Sequence, residues 1–300
     1  MVSFRYHLVS VGAVLLALAA GVVLGAGPLS TKVSSALTPT PTTHPTASGP
    51  SLAALKASLA ADDAYVAATS RTLIAGQLHR TRVVLVVAPG TPQSLTASVT
   101  RTLAQAGAVV TGSVALTPSW TDPTHATVLD GITTQLAPPS TATGTGNGAG
   151  QAAAALAAAL LTRHSYALGQ PSDTATALLA GLVQGGFVTR TGSPDQAASL
   201  AVFLAPATTS DPAALLPLMT ALRVAGSGVV VVAPTGSAQP GAVLAAVRVD
   251  PATRVLVSTV DSGDQLTGRV AMVLALAQQK AGGHGQYGFG PGADAPLPHR

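Results

Sequence analysis

The chain has 300 residues, of which 47% are apolar, 9% charged and 3% aromatic, and its formal net charge is +4. That length can bury a sizeable core, and so apolar a composition excludes an intrinsically disordered chain. The absence of cysteine excludes thiolate catalysis, disulfides and cysteine-ligated metals, and scattered arginines with no basic run leave no nucleic-acid footprint.

The first segment reads as a membrane anchor. Arg5 and His7 precede an uncharged apolar run over residues 8–26, which as a helix spans about 28 Å, close to the hydrocarbon thickness of a bilayer. Residues 1–7 are then a short cytoplasmic leader and residues 8–27 a signal anchor, with Phe4 and Tyr6 at the headgroup level. The run is longer than the apolar part of a cleaved signal peptide, although the small residues Gly25, Ala26 and Gly27 offer a cleavage site as the alternative. A leader this short places the bulk of the chain outside the cytoplasmic membrane. Gly21 and Gly25 form a GxxxG pair that lets two such helices approach closely.

Residues 28–50 read as an extended linker, because prolines recur at Pro39, Pro41, Pro45 and Pro50. Residues 51–80 read as an amphipathic helix. Leu52, Leu59, Val66 and Leu73 recur every seven residues, while the companion seam of Leu55, Asp62, Thr69 and Gly76 decays. Two readings stay open: a parallel coiled coil joining two copies of the chain, or a helix packed on its own domain.

From Arg82 the pattern alternates. "VVLVVAPG" is a continuous β-branched run of the kind buried on both faces of a sheet. "SLTASVTRTLAQAG" follows as a helix ended by Gly107, and "AVVTGSVAL" as a strand. Residues 138–150 are low complexity and read as a mobile loop. "QAAAALAAALLTR" and "TATALLAGLVQGGF" read as helices, then "SLAVFLAP" as strand, "DPAALLPLMTALRVAG" as helix and "GVVVVAP" as strand. "AVLAAV" is a short helix, "RVLVSTV" a strand and "DQLTGRVAMVLALAQQKAGG" the closing helix, capped by Asp264 or Ser262 and ended by Gly282. The expectation is one α/β domain over residues 82–300, an open, mostly parallel sheet with helices on both faces, and not a membrane barrel.

Chemistry is sparse. The turns "VVAPGTPQSL" and "VVAPTGSAQPG" lack GxGxxG and Walker patterns, and their prolines remove donors that a phosphate needs. No GxSxG is present, the seven histidines show no metal-pair spacing, and Asp261 with Asp264 reads as helix capping. Met1, Met219 and Met272 form no cluster for Cu(I). The glycine-rich tail "AGGHGQYGFGPG" follows a helix instead of preceding one, so it is no phosphate loop. Tyr287 and Phe289 lead us to expect it to fold back and pack. No cofactor and no catalytic constellation is evident, which points to a non-catalytic protein.

Several segments in order carry a resemblance: "FRYHLVSVGAVLLALAAGVVLGAG", "GQLHRTRVVLVVAPG", "AGAVVTGSVALTPSWTDP", "VDSGDQLTGRVAMVLALAQQKAGGHGQYG" and the late "LP". Together they resemble the actinobacterial copper transporter family of the MctB type. The resemblance implies one N-terminal membrane anchor, an envelope location and a role in copper export or homeostasis, with copper as the only implied metal. It also implies, as an alternative, a scaffold that regulates cell-wall hydrolysis during division through protein partners. No catalytic residue carries over. The positions matching the family pattern are Trp120, Asp122, Asp261, Gly268, Arg269, Gly285, Tyr287 and Gly288, read as structural or surface residues. The Pro/Thr linker and the short heptad stretch depart from the pattern.

Overall fold

The computed structural model describes residues 52–136 and 148–298. The anchor at 8–27 with Gly21 and Gly25, the linker and most of the low-complexity stretch lie outside the described residues, as do the side chains of Leu52, Leu55, Leu59 and Asp62. Among the described residues no helix is long and apolar enough to cross a membrane. The chain divides into two compact units, Met1–Ala57 and Ser58–Arg300.

The centre of the second unit is a seven-stranded sheet in the order β3-β2-β1-β4-β5-β6-β7. The strands are β1 (Arg82–Val87), β2 (Val109–Leu116), β3 (Val188–Gly192), β4 (Leu200–Leu204), β5 (Gly228–Val232), β6 (Ser258–Val260) and β7 (Gln286–Tyr287). All neighbours pair in parallel except β3, which lies antiparallel along β2. The helices are α1 (Leu52–Ile74), α2 (Gln93–Gln105), α3 (Ala126–Leu136), α4 (Gly148–Leu160), α5 (Asp173–Gln184), α6 (Leu216–Ala225), α7 (Val243–Val249), α8 (Pro251–Arg254) and α9 (Leu266–Lys280).

The continuous apolar strands are explained by cover on both faces. Successive strand residues alternate sides. Val84, Val86, Ala201, Phe203, Val229 and Val231 join one core with α3, α4, α5, α6 and α7. Val83, Leu85, Val202, Leu204, Val230 and Val232 join the other, with α2, α9 and the end of α1. On α1 that end is Ile74, fully buried, with Ser70 buried beside it. The helix stops at Ile74, and residues 75–80 are turns instead of the helix expected.

The central strands β1, β4 and β5 each run into an Ala-Pro pair: Ala88-Pro89, Ala205-Pro206 and Ala233-Pro234. Each alanine N–H continues the ladder, to Leu204, Val232 and Val260 respectively. The proline after it has no N–H, so the ladder ends there. Where strand order reverses, between β1 and β4, Thr91 donates to the carbonyls of both Ala88 and Leu204, at 2.7 and 3.1 Å, and ties the two strand ends together.

Three local expectations need correction. Residues 254–257 are not strand: Asp250 accepts from the Thr253 N–H at 2.8 Å and starts the single turn α8, leaving only Ser258–Val260 for β6. The helix read as extending to Phe187 ends at Gln184, and Val188 begins β3. Phe289 does not pack into a core and is 72% exposed.

The layering makes opposite demands on two phenylalanines. Phe203→Ala, in the central strand, is expected to cost about 3–5 kcal/mol, whereas Phe289→Ala stays within about 0.5 kcal/mol. Urea unfolding of both variants checks this, and near-equal losses would contradict the burial pattern.

Candidate functional site

The densest polar chemistry lies where β6 ends and the C-terminal segment returns. The side chain of Arg248 on α7 is only 2% exposed and that of Asp261, just past β6, is 4% exposed. Their Nη1···Oδ2 distance is 3.0 Å. Arg248 also donates through Nε to Thr259 Oγ1 at 2.9 Å, through Nη1 to the Pro291 carbonyl at 2.8 Å and through Nη2 to the Tyr287 carbonyl at 2.9 Å. Burial pulls the Arg248 pKa down from the usual arginine range, and the bond and charge of Asp261 oppose that shift.

Asp261 is satisfied from the other side by the tail. Its Oδ1 accepts the Phe289 N–H at 3.0 Å and its Oδ2 accepts the Gly290 N–H at 2.8 Å. A carboxylate holding two backbone amides and a guanidinium is in its most favourable arrangement when buried. The backbone must come very close for this. Gly288 has φ +124°, and a Cβ on it would lie 1.9 Å from Asp261 Oδ1, so only glycine fits.

A second ring of bonds fixes β7. The Thr259 hydroxyl accepts from Arg248 and donates to Gln286 Oε1 at 2.8 Å. Gln286 Nε2 donates to the carbonyls of Arg254 and Val257, at 3.0 and 3.2 Å. Asp294 takes the Gln286 N–H at 2.8 Å and the Arg254 Nη2 at 2.6 Å. The Tyr287 hydroxyl donates to Gln278 on α9.

The start of α9 adjoins this cluster. Its N-cap is Gln265, without a side-chain cap. Asp264 does not cap as expected: its Oδ1 accepts the N–H and hydroxyl of Thr235 at 2.8 and 3.0 Å, joining the loop after β5 to α9. Asp261 does not cap either, because it is committed to Arg248 and the tail. Arg269 donates to the carbonyls of Gly263 and Asp264, at 3.2 and 2.8 Å. At Gly268 a Cβ would lie 1.9 Å from the Ser262 carbonyl oxygen, and at Gly285 one would meet the Tyr287 hydroxyl.

Six of the eight family-pattern positions therefore sit around one end of the sheet. Trp120 and Asp122 do not: they follow β2, with β1, β4 and β5 between them and β6. Trp120 is buried in the larger core. Asp122 accepts from the Thr124 N–H and hydroxyl at 2.9 and 2.7 Å and starts a short 3₁₀ turn, and these bonds hold its pKa below the usual carboxylate value.

The family described as "Copper transport outer membrane protein, MctB" matches residues 1–298 of this chain. The chain belongs to the MctB family. Curated relatives named "Copper transporter MctB" include those of Mycobacterium bovis and Mycobacterium tuberculosis, each 31% identical over 322 aligned residues and covering 98% of both chains. That of Mycobacterium leprae is 30% identical over 310 residues with the same coverage. These relatives carry a transporter's name and not an enzyme's.

For an MctB-family chain the soft-metal donors are poorly placed. Met219 and Met272 are both fully buried, in the cores on opposite faces of the sheet. Among the described residues no group of three His, Asp or Glu side chains could hold a metal ion. The cluster of Arg248 and Asp261 is a fastening built of satisfied bonds. Sequence reasoning found Asp261 and Tyr287 but missed Arg248, Thr259, Gln286 and Asp294. The available signal was a single arginine inside the apolar run "AVLAAVRV".

Two outcomes are expected of this fastening. Asp261→Ala and Arg248→Met should each lose about 3–5 kcal/mol, and the double variant much less than their sum. Chemical denaturation gives the cycle, and additive losses would contradict a direct buried pair. Burial, the larger effect, and then Asp294 raise the Tyr287 pKa above its ordinary value of 10.0, against the Gln278 bond. The protonated phenol is favoured in the fold, so its stabilisation is complete below about pH 10 and is lost as pH rises through the higher folded value. Tyr287→Phe should flatten that alkaline decline, and an unchanged slope would contradict it.

Proposed function

We propose that this chain is an envelope-anchored, non-catalytic protein of copper export or homeostasis. The observation that carries this reading is the family match along almost the whole chain, with relatives matched over 98% of their own length named as copper transporters. In this reading residues 8–27 form a single span in the cytoplasmic membrane and the α/β body lies outside it. Helix α1, ahead of its buried end at Ser70 and Ile74, joins two copies of the chain.

The body is an open sheet covered on both faces, and its two described thioethers are spent on the core. Copper is therefore cargo handled with partners in the envelope, and the body's work is holding and positioning. Regulation of cell-wall hydrolysis has no observation of its own in the described residues or in the relatives' names, so copper handling is retained as the function.

Deleting the gene should lower the copper concentration that stops growth and raise cell-associated copper several-fold. The full chain should restore both. A chain starting at Ser51 behind a cleavable secretion signal should not. Unchanged copper tolerance and copper content in the deletion would overturn the copper reading, and full rescue by the secreted body would overturn the need for the anchor.

A further inference from the structure

Away from the tail fastening, two arginines meet at the C-terminal end of α6. Arg163, just after α4, reaches the C-terminal end of α6. Its Nε donates to the Gly226 carbonyl at 3.0 Å and its Nη2 to the Arg223 carbonyl at 2.8 Å. Arg223 lies in the last turn of α6. Its Nε is buried without a hydrogen-bond partner, and among the described residues its side chain has neither a hydrogen bond nor an ion pair.

Burial, and then the charge of Arg163, push the Arg223 pKa down, and no carboxylate offsets them. Asp250, the acid on the neighbouring turn, is occupied in capping Thr253. The helix end supplies about half a negative charge, which Arg163 already satisfies with two of its donors. Two positive charges against that half leave the pair of arginines cationic, and the acid on the wall of the adjoining groove is Asp250. A buried donor with no partner calls for a water, an ion or a ligand, and a guanidinium fork fits the oxygens of a phosphate or carboxylate.

We propose that Arg163 and Arg223 form a binding site for an oxyanion, a phosphate group above all. A groove of about 930 Å³ opens beside Arg163, with His164 and Asp250 also on its wall and Leu216, Ala221 and Val224, the neighbour of Arg223, along its length. The same phosphate chemistry could reach the site as a free ion or as a lipid headgroup whose apolar part lies in that groove. The site stands independently of the copper reading.

The full chain, held in phosphatidylcholine vesicles, distinguishes these sources by thermal unfolding. In chloride buffer Arg223→Leu should melt higher than the parent, because an uncompensated cation is removed. Inorganic phosphate at matched ionic strength should raise the parent's melting temperature by several degrees and leave Arg223→Leu and Arg223→Gln unmoved. If only phosphatidylglycerol in the vesicles gives that selective shift, the ligand is the lipid headgroup. If phosphate alone gives it, the ligand is the free ion. No shift with either probe, or an equal shift in the variants (an adventitious ion only), overturns the proposal.

Discussion

The pairing of Arg248 with Asp261 under the returning C-terminal segment is the constraint on which one whole end of the molecule depends. Removing two charges from water is expensive, and their mutual attraction repays it only when the remaining donors and acceptors are also filled. Here the tail fills them. Arg248 takes the carbonyls of Tyr287 and Pro291, and Asp261 takes the N–H groups of Phe289 and Gly290. Pair and tail are thus mutually conditional: neither is stable in place without the other.

The family pattern acquires a physical meaning from this. Gly288 is glycine because the backbone passes within bonding reach of Asp261, and Gly268 because α9 starts against the Ser262 carbonyl. Tyr287 presents a carbonyl to Arg248 and a hydroxyl to α9. These residues fasten the C-terminal segment to β6, α7 and α9. They extend a parallel sheet by a last two-residue strand whose edge is fastened by side chains instead of by a long ladder. An unfastened edge strand would be open to pairing with another chain. In a family named for copper transport, these C-terminal residues serve the architecture of the body.

The legible parts of the sequence were those whose pattern is set by cover on both faces. β1, β4 and β5 announce themselves because, beyond Arg82 and Gly228 at the starts of β1 and β5, every residue meets a core. β3 was silent because Thr189, Arg190, Thr191 and Gly192 are exposed and held only by backbone pairing with β2. β7 was silent because a two-residue strand among glycines has no periodicity. The end of "RVLVSTV" formed a strand while its start did not, because Asp250 caps a turn first. Asp261 and Asp264 looked like caps, since a carboxylate before a helix usually is one. Their true partners lie about 28 residues apart along the chain, Phe289 for Asp261 and Thr235 for Asp264, and no local rule exposes such a pairing.

Native-state amide hydrogen exchange at Phe289 and Gly290 tests the fastening most directly. If the tail is locked by Asp261, these two amides exchange at rates within about tenfold of the β5 amides, because opening them requires breaking a buried ion pair and so approaches global unfolding. Exchange near the rate of an unprotected peptide, with β5 still protected, would show that the C-terminal segment opens on its own and that the pair does not hold it.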